Sequence, residues 1–454
     1  MDAHHETSRI DGRLTDQEDN TDIALPMEVI PNTTCTNLVQ LNDFCLLEIF
    51  SKNCLTPLDL CSLAETCTGF KRITQAVFPR EFKIVVGPKC DYYTREYKFQ
   101  SKNYSRDHIS QEDVKRILTN FGSFLSILTM HDSDPIVTNL VAKHCDDGSL
   151  KRIEIFAIRI IEDLRVEFEK IFQRLMAISF HGVYTEHRFG VADIQFKCDS
   201  LLELEVVYMD CCNAILKNTF PKLERFCFKQ SNDEGSDTLL KFIGRHKHLR
   251  ALEWHTGFSI SFRDDFARAI GNSCKELEEL TLRSCQNDKT LDLSKLHNLT
   301  KLRMLDFEIF SDVNNQLVTL LQALKSLEIV KISNMDVKAE VVDALSQLQH
   351  LYELHLIGCS FSSIPWPMFP RLTKLRLINH AFTTKEFVNI ISQLTNLEEL
   401  EIYDWDSNYL LSEKLYSKIG KIVDQRPNEL TLKCRFRFGE NFLKYQKIKL
   451  IKLN

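Results

Sequence analysis

The chain has 454 residues, of which 44% are hydrophobic and 26% charged, and its formal net charge is -6. This is a globular composition, and its mild acidity gives no general attraction to nucleic acid or to an anionic membrane surface. No run approaches the roughly 18 apolar residues of a membrane span. The start Met1-Asp2-Ala3-His4-His5-Glu6 lacks the basic, then apolar, order of a secretory signal. The 15 cysteines include no CxxC pair, which predicts reduced thiols in the cytoplasm or nucleus and neither a disulfide framework nor a zinc site.

Residues 1–38 are polar and acidic, with Asp11, Asp16, Glu18, Asp19 and Asp22 and no amphipathic period. They read as a disordered tail. Order is expected from Leu41, because Leu46, Ile49 and Phe50 fall at i, i+3 and i+4 on one face of a helix that Asn42 or Asp43 can cap. A second helix has Thr56 as N-cap, Pro57 at its first position and Asp59 in the first turn, where the helix dipole favours negative charge. Leu60, Leu63, Ala64 and Cys67 run along its face, and Gly69 is placed to end it in a left-handed turn. Phe70, Ile73 and Val77 predict a third short helix, stopped by Pro79. Three helices in so few residues cannot bury much surface alone, so the unit needs a partner.

Residues 39–80 resemble an F-box, the motif that docks on the Skp-type adaptor of SCF (cullin-RING) ubiquitin ligases. The resemblance is carried in family order by Leu41, Leu46, Leu47, Glu48, Ile49, Phe50, Leu55, Asp59, Leu60, Leu63, Cys67 and Phe70. Asn42 stands where the family usually has proline, Phe70 where it often has tryptophan, and Asn53-Cys54 is a small insertion. The resemblance implies an adaptor-binding face built from Leu41, Leu46, Ile49, Phe50, Leu55, Leu60 and Leu63.

Residues 81–124 predict a linker and an N-terminal cap for a repeat region. Phe82-Lys83-Ile84-Val85-Val86 reads as a strand, and Tyr92, Tyr93, Tyr97, Phe99 and Tyr104 as an aromatic hairpin or loop. From residue 125 to 454 the pattern Leu-x-x-Leu-x-Leu recurs with a period of about 25 residues, inside the range of leucine-rich repeats. Clear copies start at Leu277, Leu351, Leu372 and Leu397. Weaker copies start at Leu125, Leu150, Leu175, Leu201, Leu223, Leu249, Leu299, Leu327 and Pro427.

This spacing predicts an α/β solenoid, a horseshoe with a parallel inner sheet and outer helices. Leu354 and Leu356 point inward while Glu353, His355 and Ile357 face the inner surface. Helical stretches such as 337–348 and 385–394 cover the convex side, and Ile448, Leu450 and Ile451 predict a closing strand. Phe436, Phe438 and Phe442 belong to the same C-terminal cap. With the repeats, the resemblance extends to the F-box and leucine-rich-repeat family over most of the chain.

Chemistry is sparse. The sequence contains no GxxxxGK, HExxH or GxSxG motif. His246 and His248 read as a surface pair in a helix-to-strand connection, and Glu399 and Glu401 should lie beside Lys374 and Arg376 as an ion-pair ladder. Thr281, Arg303 and Lys331 fall at the fifth position of neighbouring repeats, with Arg283 close by, which places like charges side by side without an acid. That arrangement predicts an acidic or phosphorylated partner segment. Tyr403, His255 and His181 at seventh positions are further contact candidates, and Trp254 and Trp405 belong to the core.

The family resemblance implies a substrate receptor of an SCF-type ligase that is not itself catalytic. It would need no cofactor and would act by holding a target protein near a conjugating enzyme bound elsewhere. A repeat scaffold uncoupled from any ligase and a small-GTPase regulator are the competing classes.

Overall fold

The computed structural model describes residues 38, 41–51, 55–88, 95–101, 104–131, 135–145, 148–156, 171–182, 197–209, 212–230, 236–256, 264–284, 292–309, 312–360, 366–378, 384–403, 413–434, 445 and 447–452. The expected tail, apart from Leu38, lies outside them, as do Asn53-Cys54, Tyr92, Tyr93, Trp405, Phe436, Phe438 and Phe442.

Three short helices open the described chain: α1 (Asp43–Phe50), α2 (Pro57–Ala64) and α3 (Thr68–Val77). Each begins where a side chain replaces a missing intrahelical acceptor. The Asn42 carboxamide accepts from the Cys45 N–H at 2.9 Å. Thr56 and Asp59 form a reciprocal capping box, Thr56 N–H donating to the carboxylate at 2.8 Å and Asp59 N–H to the hydroxyl at 3.1 Å. The expected stop at Gly69 is corrected: α2 ends at Ala64 with Glu65 in the right-handed region, and Gly69 lies inside α3. The cause is Cys67, whose sulfur accepts from the Phe70 N–H at 3.4 Å and starts α3 before the glycine. Phe78 then turns extended, as a residue preceding proline prefers.

Among the described residues, a single sheet of 17 strands comes next. The strand β1 (Glu81–Pro88) pairs antiparallel with β2 (Arg95–Ser101), which pairs antiparallel with β3 (Tyr104–Ile109). On its other side β1 runs parallel to β4 (Ile127–His131), so the predicted 82–86 strand joins the repeat sheet directly. From β4 onward every strand pairs in parallel with the next in sequence. The series is β5 (Arg152–Phe156), β6 (Ala177–His181), β7 (Glu203–Val207), β8 (Arg225–Gln230), β9 (Ala251–Thr256), β10 (Glu279–Ser284), β11 (Met304–Ile309), β12 (Ile329–Ser333), β13 (Glu353–Ile357), β14 (Lys374–Ile378), β15 (Glu399–Tyr403), β16 (Leu430–Cys434) and β17 (Ile448–Lys452). This is a leucine-rich-repeat solenoid.

Strand alternation and lateral register together build its core. Leu280, Leu305, Val330, Leu354, Leu375 and Leu400 stand in one row across adjacent strands, each almost wholly buried. Burial of such rows, at roughly 25 cal/mol per Å² of apolar surface, is possible only between stacked repeats. The helix Ala339–Ser346 covers this row from the convex side with Val341, Val342 and Leu345. Two phases differ from the sequence expectation. The repeat assigned to Leu299 begins at Leu302, since Leu305 and Phe307 take the core positions of β11. The repeat assigned to Pro427 is displaced by two residues, since Leu432 aligns with Leu400.

Candidate functional site

The helical unit presents one of two candidate surfaces. Leu46, Phe50 and Leu60, expected to touch an adaptor, lie inside the unit at 4%, 4% and 5% exposure, and Phe50 meets Phe70 edge-on at 5.5 Å. They build the surface and do not form it. Leu41, Leu55 and Leu63 are half-buried, and Ile49 is 39% exposed. Phe44, which the i, i+3, i+4 stripe does not include, is 77% exposed. Its signal in the sequence was a bulky aromatic lying off the buried stripe of a short helix.

The unit is fixed to the solenoid through α4 (Gln111–Phe121), the helix preceding β4. Arg116 donates through Nε and Nη2 to the two Glu65 oxygens at 3.1 and 2.7 Å, and Asn120 donates to the same carboxylate at 3.0 Å. The hydrogen bond from Arg116 holds the Glu65 carboxyl below the usual carboxylate range. Beneath this clamp Phe78 stacks on Phe121 at 4.1 Å, and Cys61 is fully buried with its thiol pushed up to about 12 by desolvation. A thiol held that high stays protonated and is a packing group, not a nucleophile.

The concave sheet face is the second surface, and its register overturns the like-charge neighbours expected at Arg303 and Lys331. Arg303 falls one residue before β11, so the row reads Thr281, Asp306, Lys331. The two cations are not lateral neighbours, and an acid lies between their strands. Arg303 makes a two-pronged pair with Glu328, both contacts at 2.8 Å. Arg283 meets Asp306 at 2.9 Å and Glu308 at 3.8 Å. His255 lies 2.7 Å from Glu253 and His181 3.5 Å from Glu205, with His181 stacked on Phe156 at 4.2 Å. Tyr403 belongs to β15, and its side chain lies outside the described atoms.

The expected ladder at Glu399 and Glu401 is present, with one change of partner. Arg376 reaches Glu401 at 2.7 Å, whereas Glu399 is held by Lys433 at 2.6 Å and Lys374 turns to Glu353 at 3.7 Å. Toward the N-terminal half of the same face, a groove of about 320 Å³ runs across β5 to β11. Its charged lining is Arg152, Glu203, Glu205, Arg225, Glu253 and Glu279. The His255 contact, followed by Lys229, holds the Glu253 carboxyl down at about 2, against the opposing effect of burial.

The surface pair expected of His246 and His248 is corrected. His246 is 3% exposed. Its Nε2 accepts from the Phe220 N–H at 2.9 Å and its Nδ1 donates to the Phe242 carbonyl at 2.7 Å, an arrangement that requires the neutral ring. Burial lowers its pKa to about 4. Among the described residues no group of three or more His, Cys, Asp or Glu side chains could hold a metal ion, and no helix is long and apolar enough to cross a membrane.

No family model matches the chain, and no curated protein matches it. Solved structures similar to the chain match it at low identity. An internalin from Listeria monocytogenes is 13% identical over 67% of this chain and 86% of its own, with a TM-score of 0.39. The yeast Rad7 and Elc1 complex is 14% identical over 90% of this chain and 92% of its own, with a TM-score of 0.46. A chain of the Toll–Spatzle complex from Drosophila is 12% identical over 82% of this chain and 58% of its own, with a TM-score of 0.44.

Proposed function

We propose that the chain is the substrate-recognition subunit of an SCF-type ubiquitin ligase, with the F-box-like helices docking on a Skp-type adaptor and the solenoid holding a target protein. The observation that carries this reading is the apolar surface of α1. Phe44 is 77% exposed and Ile49 39% exposed on a helix whose Leu46 and Phe50 already fill the unit's core. Large apolar side chains left in water on a short, side-chain-capped helix mark an interaction site. The Glu65–Arg116 clamp would give that site a fixed bearing relative to the concave face. Catalysis in this reading is proximity: the chain raises the effective concentration of a target lysine near a conjugating enzyme held by the cullin.

The test is co-purification of the full-length chain with the Skp-type adaptor and cullin, beside the pair Phe44→Asp and Ile49→Asp. These positions are preferable to Phe50, whose loss would damage the unit's own core. The expected result is adaptor bound to the unmodified chain and lost, by tenfold or more, from the double variant with unchanged circular dichroism. Adaptor absent from the unmodified chain would refute the ligase reading and leave a repeat scaffold.

A further inference from the structure

The groove on the concave face exists because the register brings small side chains together. Ser179, Cys227, Ala251 and Thr281 occupy outward positions on β6, β8, β9 and β10 and form its floor. Carboxylates dominate its walls. Arg152 is divided between Glu154 and Glu203, at 3.0 Å from each. Arg225 answers Glu279 at 3.0 Å, and Lys229 answers Glu253 at 2.8 Å. Glu205 faces His181 at 3.5 Å. The side chains of Glu203, Glu253 and Glu279 remain 40%, 39% and 39% exposed. An ionised carboxylate offers about four acceptor positions, so these pairs leave acceptors open to the groove.

One observation outside the glutamate cluster points the same way. Asp306 stands one strand beyond Thr281 on the same face, 4% exposed, and its Oδ1 has no donor among the described residues although Oδ2 takes Arg283.

We infer that this groove takes an extended segment of the target protein rich in lysine and arginine. The inference rests on the reading of the solenoid as a target-holding surface and names the chemistry it selects. The side-chain ammonium and guanidinium groups complement the glutamate walls, and their methylene stems lie along the small-residue floor. Charge complementarity of this kind governs specificity and association rate, and it weakens with salt. An acidic or phosphorylated segment would meet repulsion at Glu203, Glu205, Glu253 and Glu279, which reverses the partner charge expected from the sequence.

Fluorescence anisotropy of the full-length chain with two labelled peptides tests this, one of lysine, arginine, glycine and serine and one with glutamate in place of the basic residues. The basic peptide should bind, lose at least tenfold in affinity between low and threefold higher salt, and lose at least tenfold in the double variant Glu205→Gln, Glu253→Gln. A control with Glu340→Gln and Asp343→Gln, both exposed on the convex helix Ala339–Ser346, should leave binding unchanged. Equal binding of the two peptides, or equal loss in the control, would overturn the inference. Adaptor co-purification of the same variants separates the two readings. Adaptor retained while neither peptide binds sinks the groove assignment alone, whereas basic-peptide binding without adaptor sinks only the ligase reading.

Discussion

Replacing Gly271 by alanine should destabilise the solenoid, against the direction that helix propensity gives. Gly271 lies in the helix Asp264–Ser273, where alanine is favoured by about 1 kcal/mol over glycine. A Cβ there would stand 1.8 Å from the Lys295 carbonyl oxygen and 2.8 Å from its carbon, both backbone atoms. Ordinary van der Waals separation would demand a retreat of roughly 1.5 Å. The turn Leu293–Asn298 that carries Lys295 cannot yield cheaply, because Leu293, Leu296, Leu299 and Leu302 are fully buried around it. Overpacking against fixed structure costs roughly 1–3 kcal/mol or more and exceeds the propensity gain. The net effect is a loss of about 1 kcal/mol or more. Gly244 is the control. It lies in the helix Ser236–Arg245, its nearest prospective contact is the Ser273 Oγ at 3.9 Å, and alanine there should stabilise by roughly 0.5–1 kcal/mol. Urea denaturation monitored by circular dichroism measures both, read as the midpoint of the repeat core, since a solenoid need not unfold in one step. Shifts of the same sign and similar size in G271A and G244A would refute the reasoning.

Arg426 is 4% exposed and its three guanidinium nitrogens have no partner among the described residues. It occupies the place of Leu394 one repeat earlier, so Arg426→Leu should raise the stability of the last repeat by roughly 1–3 kcal/mol, seen as a delayed early phase of urea unfolding. A lower midpoint would mean that the charge has a partner the described residues do not include. His246, neutral in the fold with a pKa of about 4, gains a proton more readily when unfolded, near pH 6.5. Its contribution is therefore present above pH 6.5 and lost as pH falls toward 4, roughly 3 kcal/mol over that window. Carboxylates such as Glu253, held at about 2, add their own loss only below about pH 4.5. His246→Leu should flatten the stability profile between pH 6.5 and 4.5 while imposing a constant cost from the orphaned Phe220 N–H, and an unchanged slope in that variant would rule the account out.

Local rules were legible in the residues themselves. Thr56, Pro57 and Asp59 specify a helix start within four positions, and a period-two strand fixes that Leu354 and Leu356 enter the core while His355 does not. Repetition of that unit determines the solenoid, because no single repeat can bury its own leucines. The candidate surfaces were less legible. In the run Leu299, Leu302, Leu305 the leucines recur every three residues, so two phases satisfy the pattern, and only lateral hydrogen bonding to β10 and β12 selects the one that puts Asp306 between Thr281 and Lys331. That slip decides whether Arg303 is a bare charge or the partner of Glu328. Gly271 and Gly244 are alike as helix residues and differ only in what the neighbouring turn brings near them. Sequence periodicity thus determines which side chains face the core, since that depends on the geometry of one strand or helix. Partners across the sheet, about 25 residues away in the chain, are set by register and packing, which only the stacked tertiary structure decides.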